Sequence, residues 1–171
     1  MNKSFKRPGK FQEKSEFDSS ILDLARVTRV TEGGKHMSFR ALVVIGDRKG
    51  RVGFAVDKGK DVQISVDKAT RKAKKNLIKV PMTHDTIPHM VTSKFKASKV
   101  MLKPAPRGSG IIAGGAVRSV LELAGVPNVS SKILGKTKNK ITIVKATFEA
   151  LKTLRQPMKK QAEKTNPTNK E

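Results

Sequence analysis

The stretch Phe39-Arg-Ala-Leu-Val-Val-Ile45, broken by Gly46-Asp-Arg-Lys-Gly50 and resumed as Arg51-Val-Gly-Phe-Ala-Val56, leaves this chain few options. Two runs this short, rich in β-branched residues and joined by a polar turn bounded by glycine, fold as neighbouring antiparallel strands. Ahead of them Leu22, Leu24, Val27 and Val30 predict a third strand, connected through Glu32-Gly33-Gly34-Lys35. A meander starting near Ile21 is therefore expected. One face of such a sheet needs a cover, and the next segment supplies it. Asp61 is placed to cap a helix running to about Lys79, with Val62, Val66, Ala69, Ala73 and Leu77 on one stripe. Lys68, Arg71, Lys72, Lys74, Lys75 and Lys79 occupy its other sides, offset only by Asp61 and Asp67. A helix face that basic reads as a surface for phosphate.

Pro81 and Pro88 bracket a stretch with little periodicity, after which a second unit begins. Met90–Phe95 and Ser98–Lys103 read as strands. Pro104 to Pro127 then carries Gly108, Gly110, Gly114 and Gly115 ahead of a short helix with Ala113, Val117, Val120 and Ala124 on one face. Gly125 and Pro127 end that helix. Glycines before a helix can cradle an anion or form a tight turn, and the glycines alone favour the tight turn. Val129–Leu134 reads as a strand, and Asn139 as the cap of a last helix with Ile141, Val144, Phe148, Leu151 and Leu154 facing inward. The expected architecture is α+β, divided as a disordered basic segment at 1–18, one domain at 19–82, a second at 83–155 and a disordered tail at 156–171.

Charge narrows the function. Thirty-seven Lys and Arg against 14 Asp and Glu give a net charge of +23 in 171 residues. Such a field repels itself unless a polyanion neutralises it, and nucleic acid is the usual one. There is no cysteine, so disulfide and thiolate metal sites are excluded. No apolar run reaches the roughly 18 residues of a membrane span, and the first residues lack a signal-peptide core. A cytoplasmic protein without membrane contact is expected.

Catalytic machinery is not legible. His36, His84 and His89 belong to no cluster of metal ligands, and the acidic residues are mostly single and turn-placed. The glycine loop has neither GxxxxGK[ST] nor GxGxxG after a strand. Neither enzyme activity, cofactor nor metal is expected. With seven Phe and no Trp or Tyr, folded RNA held by charge and shape fits better than stacked single strands. The competing class is a small-molecule kinase whose Gly108 to Gly115 loop would hold a nucleotide phosphate.

Three motifs in order, VTRVTEGGKHMSFRALVVIGDRKGRVGFAV, KATRKAKKNLIKVP and RGSGIIAGGAVRSVLELAGVPNV, resemble the bacterial small-subunit ribosomal protein S-five family over residues 21 to 155. The resemblance implies a double-stranded-RNA-binding-like domain of a three-stranded sheet plus helix, then a domain containing a βαβ unit. It implies binding to small-subunit ribosomal RNA, through the Glu32–Met37 hairpin near the spectinomycin site and through the basic helix. The RNA-binding set it suggests is Arg29, Gly33, Gly34, Lys35, His36, Arg40, Arg51, Lys68, Arg71, Lys72, Lys74, Lys75, Lys103 and Arg107. It further implies contact with protein S-four around Gly108 and Arg118, protein S-eight beside the second domain, and messenger RNA near the channel by which it enters. Subunit assembly and decoding accuracy are the implied roles, with no homo-oligomer.

Overall fold

The structure is a computed structural model and describes residues 16–155. The segments expected to be disordered lie outside these residues, apart from 16–18, and Asp18 already pairs with Gly46 in the first strand. Among the described residues the architecture is α+β, with two sheets and three helices.

The first sheet is the predicted meander, extended by one strand. β1 (Asp18–Thr31), β2 (Gly34–Gly46) and β3 (Arg51–Gly59) pair antiparallel in sequence order. Asp61 caps α1 (Val62–Lys75), its side-chain oxygen accepting from the Val62 N–H at 2.7 Å. The helix does not run to Lys79. Asn76 ends it, and Leu77–Lys79 form β4 along the outer edge of β3, opposite Gly53, Val52 and Arg51. The four-stranded sheet thus corrects both the helix end and the strand count. The physical reason is the open edge of β3, whose backbone groups need partners that a continuing helix cannot supply. Leu77 still reaches the core beneath α1, so its place in the apolar stripe was a true signal of burial but not of helix.

From Ala41 onward β2 is buried on both faces. Ala41, Val43 and Ile45 point to α1 and meet Ala55, Ala69 and Ala73 there. Leu42 and Val44 point the opposite way, into a larger core shared with the second half of the chain. Alanine on both sides of the α1 contact lets helix and sheet approach closely. Gly53 completes that approach, since a Cβ there would sit 2.6 Å from the Ala73 carbonyl oxygen.

The second sheet comprises β5 (Val91–Phe95), β6 (Ser98–Pro104), β7 (Ile111–Ile112) and β8 (Val129–Ile133), ordered β5-β6-β8-β7. β7 and β8 run parallel, joined through α2 (Gly115–Ala124), which makes a βαβ unit. α3 (Lys140–Thr153) follows, and the Asn139 side chain accepts from the Ile141 N–H at 3.0 Å. α2 and α3 lie between the sheets: α2 touches β1, β2, β3 and β7, whereas α3 touches β5, β6 and β1. The Phe54 and Phe148 rings meet across that junction with centroids 4.4 Å apart. The aperiodic stretch between the prolines is pinned rather than loose, because Ile87 near its end and Val80 just before it are buried in the shared core.

Candidate nucleic-acid interface

The β1–β2 hairpin projects past the rest of its sheet. β3 begins to pair with β2 only at Phe39, so from Val27 and Ser38 outward the two strands have only each other. Thr31 faces Gly34 across a two-residue turn of Glu32 and Gly33, and Gly33 takes the left-handed step at φ 85°. Arg29 is the register partner of His36, and Val30 of Lys35, so the predicted hairpin residues stand together at the tip. All are exposed, as are the apolar Val30 (72%) and Met37 (58%). A basic finger with apolar side chains at its end suits insertion into folded RNA, where charge holds the backbone and apolar groups lie against bases.

α1 presents the second basic surface. Lys68, Arg71, Lys72, Lys74 and Lys75 are all exposed, and among the described residues only Lys72 has a carboxylate in range, Asp57 at 3.7 Å. Lys68, Arg71, Lys72 and Lys75 surround one shallow depression. Arg40, half-buried on β2, joins Lys72 and Lys75 in a separate cleft facing α3. Lys145 and Lys152 of α3 line the same cleft. Sequence reasoning missed these two, because their helix reads locally as an amphipathic core element.

Arg51 stands elsewhere. It lies at the far end of the sheet from the hairpin tip, roughly 40 Å away by the rise of β2. Its Nε donates to Asp47 Oδ2 at 2.6 Å, and its guanidinium lies 5.2 Å from the centre of the Phe17 ring. Asp47 Oδ1 also accepts from the Lys49 and Arg51 N–H groups, at 2.8 and 3.0 Å. Burial alone would raise the Asp47 pKa, but the hydrogen bonds from Arg51 and Lys49 and the Arg51 charge outweigh it and bring the pKa down to about 2. Arg51 is thereby built into the β2–β3 turn.

The glycine loop is a braced turn. Gly108 and Gly110, at φ 89° and 67°, donate their N–H groups to the Asn128 side-chain oxygen at 3.0 and 3.1 Å. Asn128 in turn donates to the Asp85 carbonyl at 3.3 Å, and the Asp85 carboxylate pairs with Arg107 at 3.3 Å. Two N–H groups that a phosphate would need are thus already occupied, which removes the main support for a nucleotide cradle. Asn128, buried and 18 residues after Gly110, carried no local signal. Lys103 is exposed on β6, and Arg118 projects from α2 beside Ile112, Gly114 and Lys132 with no ion-pair partner among the described residues. Among the same residues no group of His, Asp and Glu could hold a metal ion, and no helix is long and apolar enough to cross a membrane.

Comparison with known proteins matches the chain in two successive pieces. Residues 17–81 match the family described as ribosomal protein S5, N-terminal domain, and residues 93–165 match ribosomal protein S5, C-terminal domain. The chain belongs to the ribosomal protein S5 family. The N-terminal match contains the hairpin and α1, and the C-terminal match contains the glycine loop, Arg118 and α3. One curated S5 relative, small ribosomal subunit protein uS5 of Mycoplasma mobile, is 47% identical over 155 residues. That alignment covers 90% of this chain and 63% of the relative, so the chain spans less than two thirds of the relative's length.

Proposed function

We propose that this S5-family chain is a structural, non-catalytic constituent of the small ribosomal subunit that binds small-subunit ribosomal RNA and contributes to assembly and decoding accuracy. The observation that carries the reading is the α1 face. Lys68, Arg71, Lys74 and Lys75 have neither an ion pair nor a side-chain hydrogen bond among the described residues, within a chain of net charge +23. Unpaired cations at that density are stabilised by a polyanion. The name of the Mycoplasma mobile relative describes that protein as part of the small ribosomal subunit, and this reading extends the same assembly and a cytoplasmic location to the present chain.

In this reading residues 19–82 act as a double-stranded-RNA-binding-like domain. An antiparallel sheet with a basic helix over one face supports it. Residues 83–155 form the second domain around β7, α2 and β8. The hairpin from Arg29 to His36 enters ribosomal RNA, and Lys103 and Arg107 add phosphate contacts. Gly108 and Arg118 face protein S-four, protein S-eight borders the second domain, and the basic surface lies near incoming messenger RNA.

Sedimentation of a cell lysate tests the assignment. The chain should travel with small subunits and stay there through a moderate-salt wash. Recovery at the top of the gradient, free of RNA, would refute it.

A further inference from the structure

A cleft of about 750 Å³ opens where β3, β4 and the end of α1 face α3. Its rim is cationic throughout: Arg40 from β2, Lys72 and Lys75 from α1, and Lys145 and Lys152 from α3. Among the described residues no carboxylate lines it. Arg40, Lys75 and Lys152 have no ion pair or side-chain hydrogen bond among the described residues, while Lys72 leans to Asp57 at 3.7 Å and Lys145 lies 5.2 Å from the Phe95 ring centre. The floor is apolar, with Phe54, half-buried, seated against buried Phe148, and Ile78 and Ile141 beside them.

Folding does not call for this combination. Cations converging from three elements on one concavity repel each other, and an apolar floor beneath them gains nothing from staying wet. Both costs are removed by a ligand with a flat apolar body and a negative edge. The volume lies within the range of small-molecule sites. A base-paired duplex keeps its bases stacked and could reach only the rim, whereas an unpaired, splayed nucleotide can enter.

We propose that this cleft receives one unpaired nucleotide of RNA, its base against Phe54 and its phosphates held by Arg40, Lys75, Lys145 and Lys152. The proposal rests on the RNA-binding reading above and adds a second mode of contact, beside the exposed α1 face that suits duplex phosphates.

The test compares two RNAs on the full chain: a duplex of about 16 base pairs, and the same duplex with one bulged nucleotide, made with each of the four bases. The wild type should prefer at least one bulged form. Lys145→Gln combined with Lys152→Gln should reduce that preference about tenfold, the scale of one hydrogen bond to a charged group. Lys152→Gln alone, at a side chain without a folding partner, should reduce it in part. Lys132→Gln with Lys136→Gln removes the same charge outside the cleft; it should weaken both RNAs alike and keep the ratio. A ratio unchanged in the cleft variants, or no preference in the wild type, overturns the cleft assignment while leaving RNA binding in place. Failure of the wild type to bind either RNA overturns both readings. A free mononucleotide that binds the cleft when no bulge is preferred would assign the site to that ligand and not to RNA.

Discussion

The α-carbon of Gly125 lies against the backbone carbonyl of Arg48, so close that a side-chain carbon at position 125 would overlap its oxygen. Gly125 closes α2 in the left-handed conformation, at φ 77°. Beside it the Arg48 N–H donates to the Leu123 carbonyl at 3.0 Å and the Gly50 N–H to the Ala124 carbonyl at 2.9 Å. The turn between β2 and β3 is therefore seated on the end of α2, and the last carbonyls of that helix find their donors in the other half of the chain. One glycine serves both a helix stop and the joint between the two sheets.

Gly125→Ala should accordingly cost more than the strain of its backbone angle, which is of order 1–3 kcal/mol. Gly108→Ala is the control, because Gly108 has a similar angle, φ 89°, but open space where a Cβ would go. Urea unfolding of both variants should show the larger loss for Gly125→Ala. Equal losses would mean that the Arg48 contact yields without cost.

Acid should weaken the same joint through Asp47. Its carboxyl has a pKa of about 2 in the fold against an ordinary value of 3.8. A group lowered in this way stabilises the fold fully above the ordinary value, and the contribution fades as pH falls from about 4 through about 2. Asp47→Asn should destabilise the protein by about 2 kcal/mol at pH 7, the scale of charge-assisted hydrogen bonds. The gap between variant and wild type should narrow as the pH approaches 2. A gap that stays constant with pH would show that the carboxylate charge is not what Arg51 reads.

On α1, replacing Lys72, Lys74 and Lys75 by Gln should weaken RNA binding at low salt and make it less salt-dependent. For every duplex phosphate that is no longer neutralised, the log–log slope should flatten by about 0.9. An unchanged slope in a folded variant would show that this face is only solvated.

At the hairpin tip nothing lies within 4 Å of where a Cβ on Gly34 would project, and its φ is 139°. A Cβ at position 34 therefore meets no clash among the described residues; the cost of Gly34→Val is local backbone strain at an end that supports no other described element. RNA affinity, subunit assembly or spectinomycin susceptibility should change more than the melting temperature. A large fall in melting temperature with ribosome function intact would make the loop purely structural.

Arg118 separates protein contact from RNA contact. It is exposed on α2, one residue after buried Val117, and has no ion-pair partner among the described residues. Arg118→Leu should leave melting and RNA affinity nearly unchanged while raising miscoding in a reporter assay. Loss of RNA affinity with normal accuracy would assign this side chain to phosphate.

Much of this was legible in the residues themselves. The strands around Gly46–Gly50, the Asp61 and Asn139 caps, the Gly125 stop and the basic side of α1 all rest on signals that act within a few positions: alternation, a cap oxygen, a left-handed glycine, a run of cations. What lay beyond reach depends on partners distant in the chain. Leu77 fits a helical stripe and an edge strand equally well, and only the open edge of β3 decides between them. Alternation says that Leu42 and Val43 face opposite ways, but not that both faces are covered, one by α1 and the other by α2, some 80 residues on. Asn128 reveals nothing until its carboxamide is found bridging Gly108 and Gly110, and Lys145 and Lys152 read as the wet side of a core helix until α3 brings them opposite Arg40. Hydrogen-bond and helix-period signals decay within a turn or two, whereas edge pairing, face burial and charge convergence are set by which elements meet in space; the first kind was written in the sequence, and the second came only with the tertiary structure.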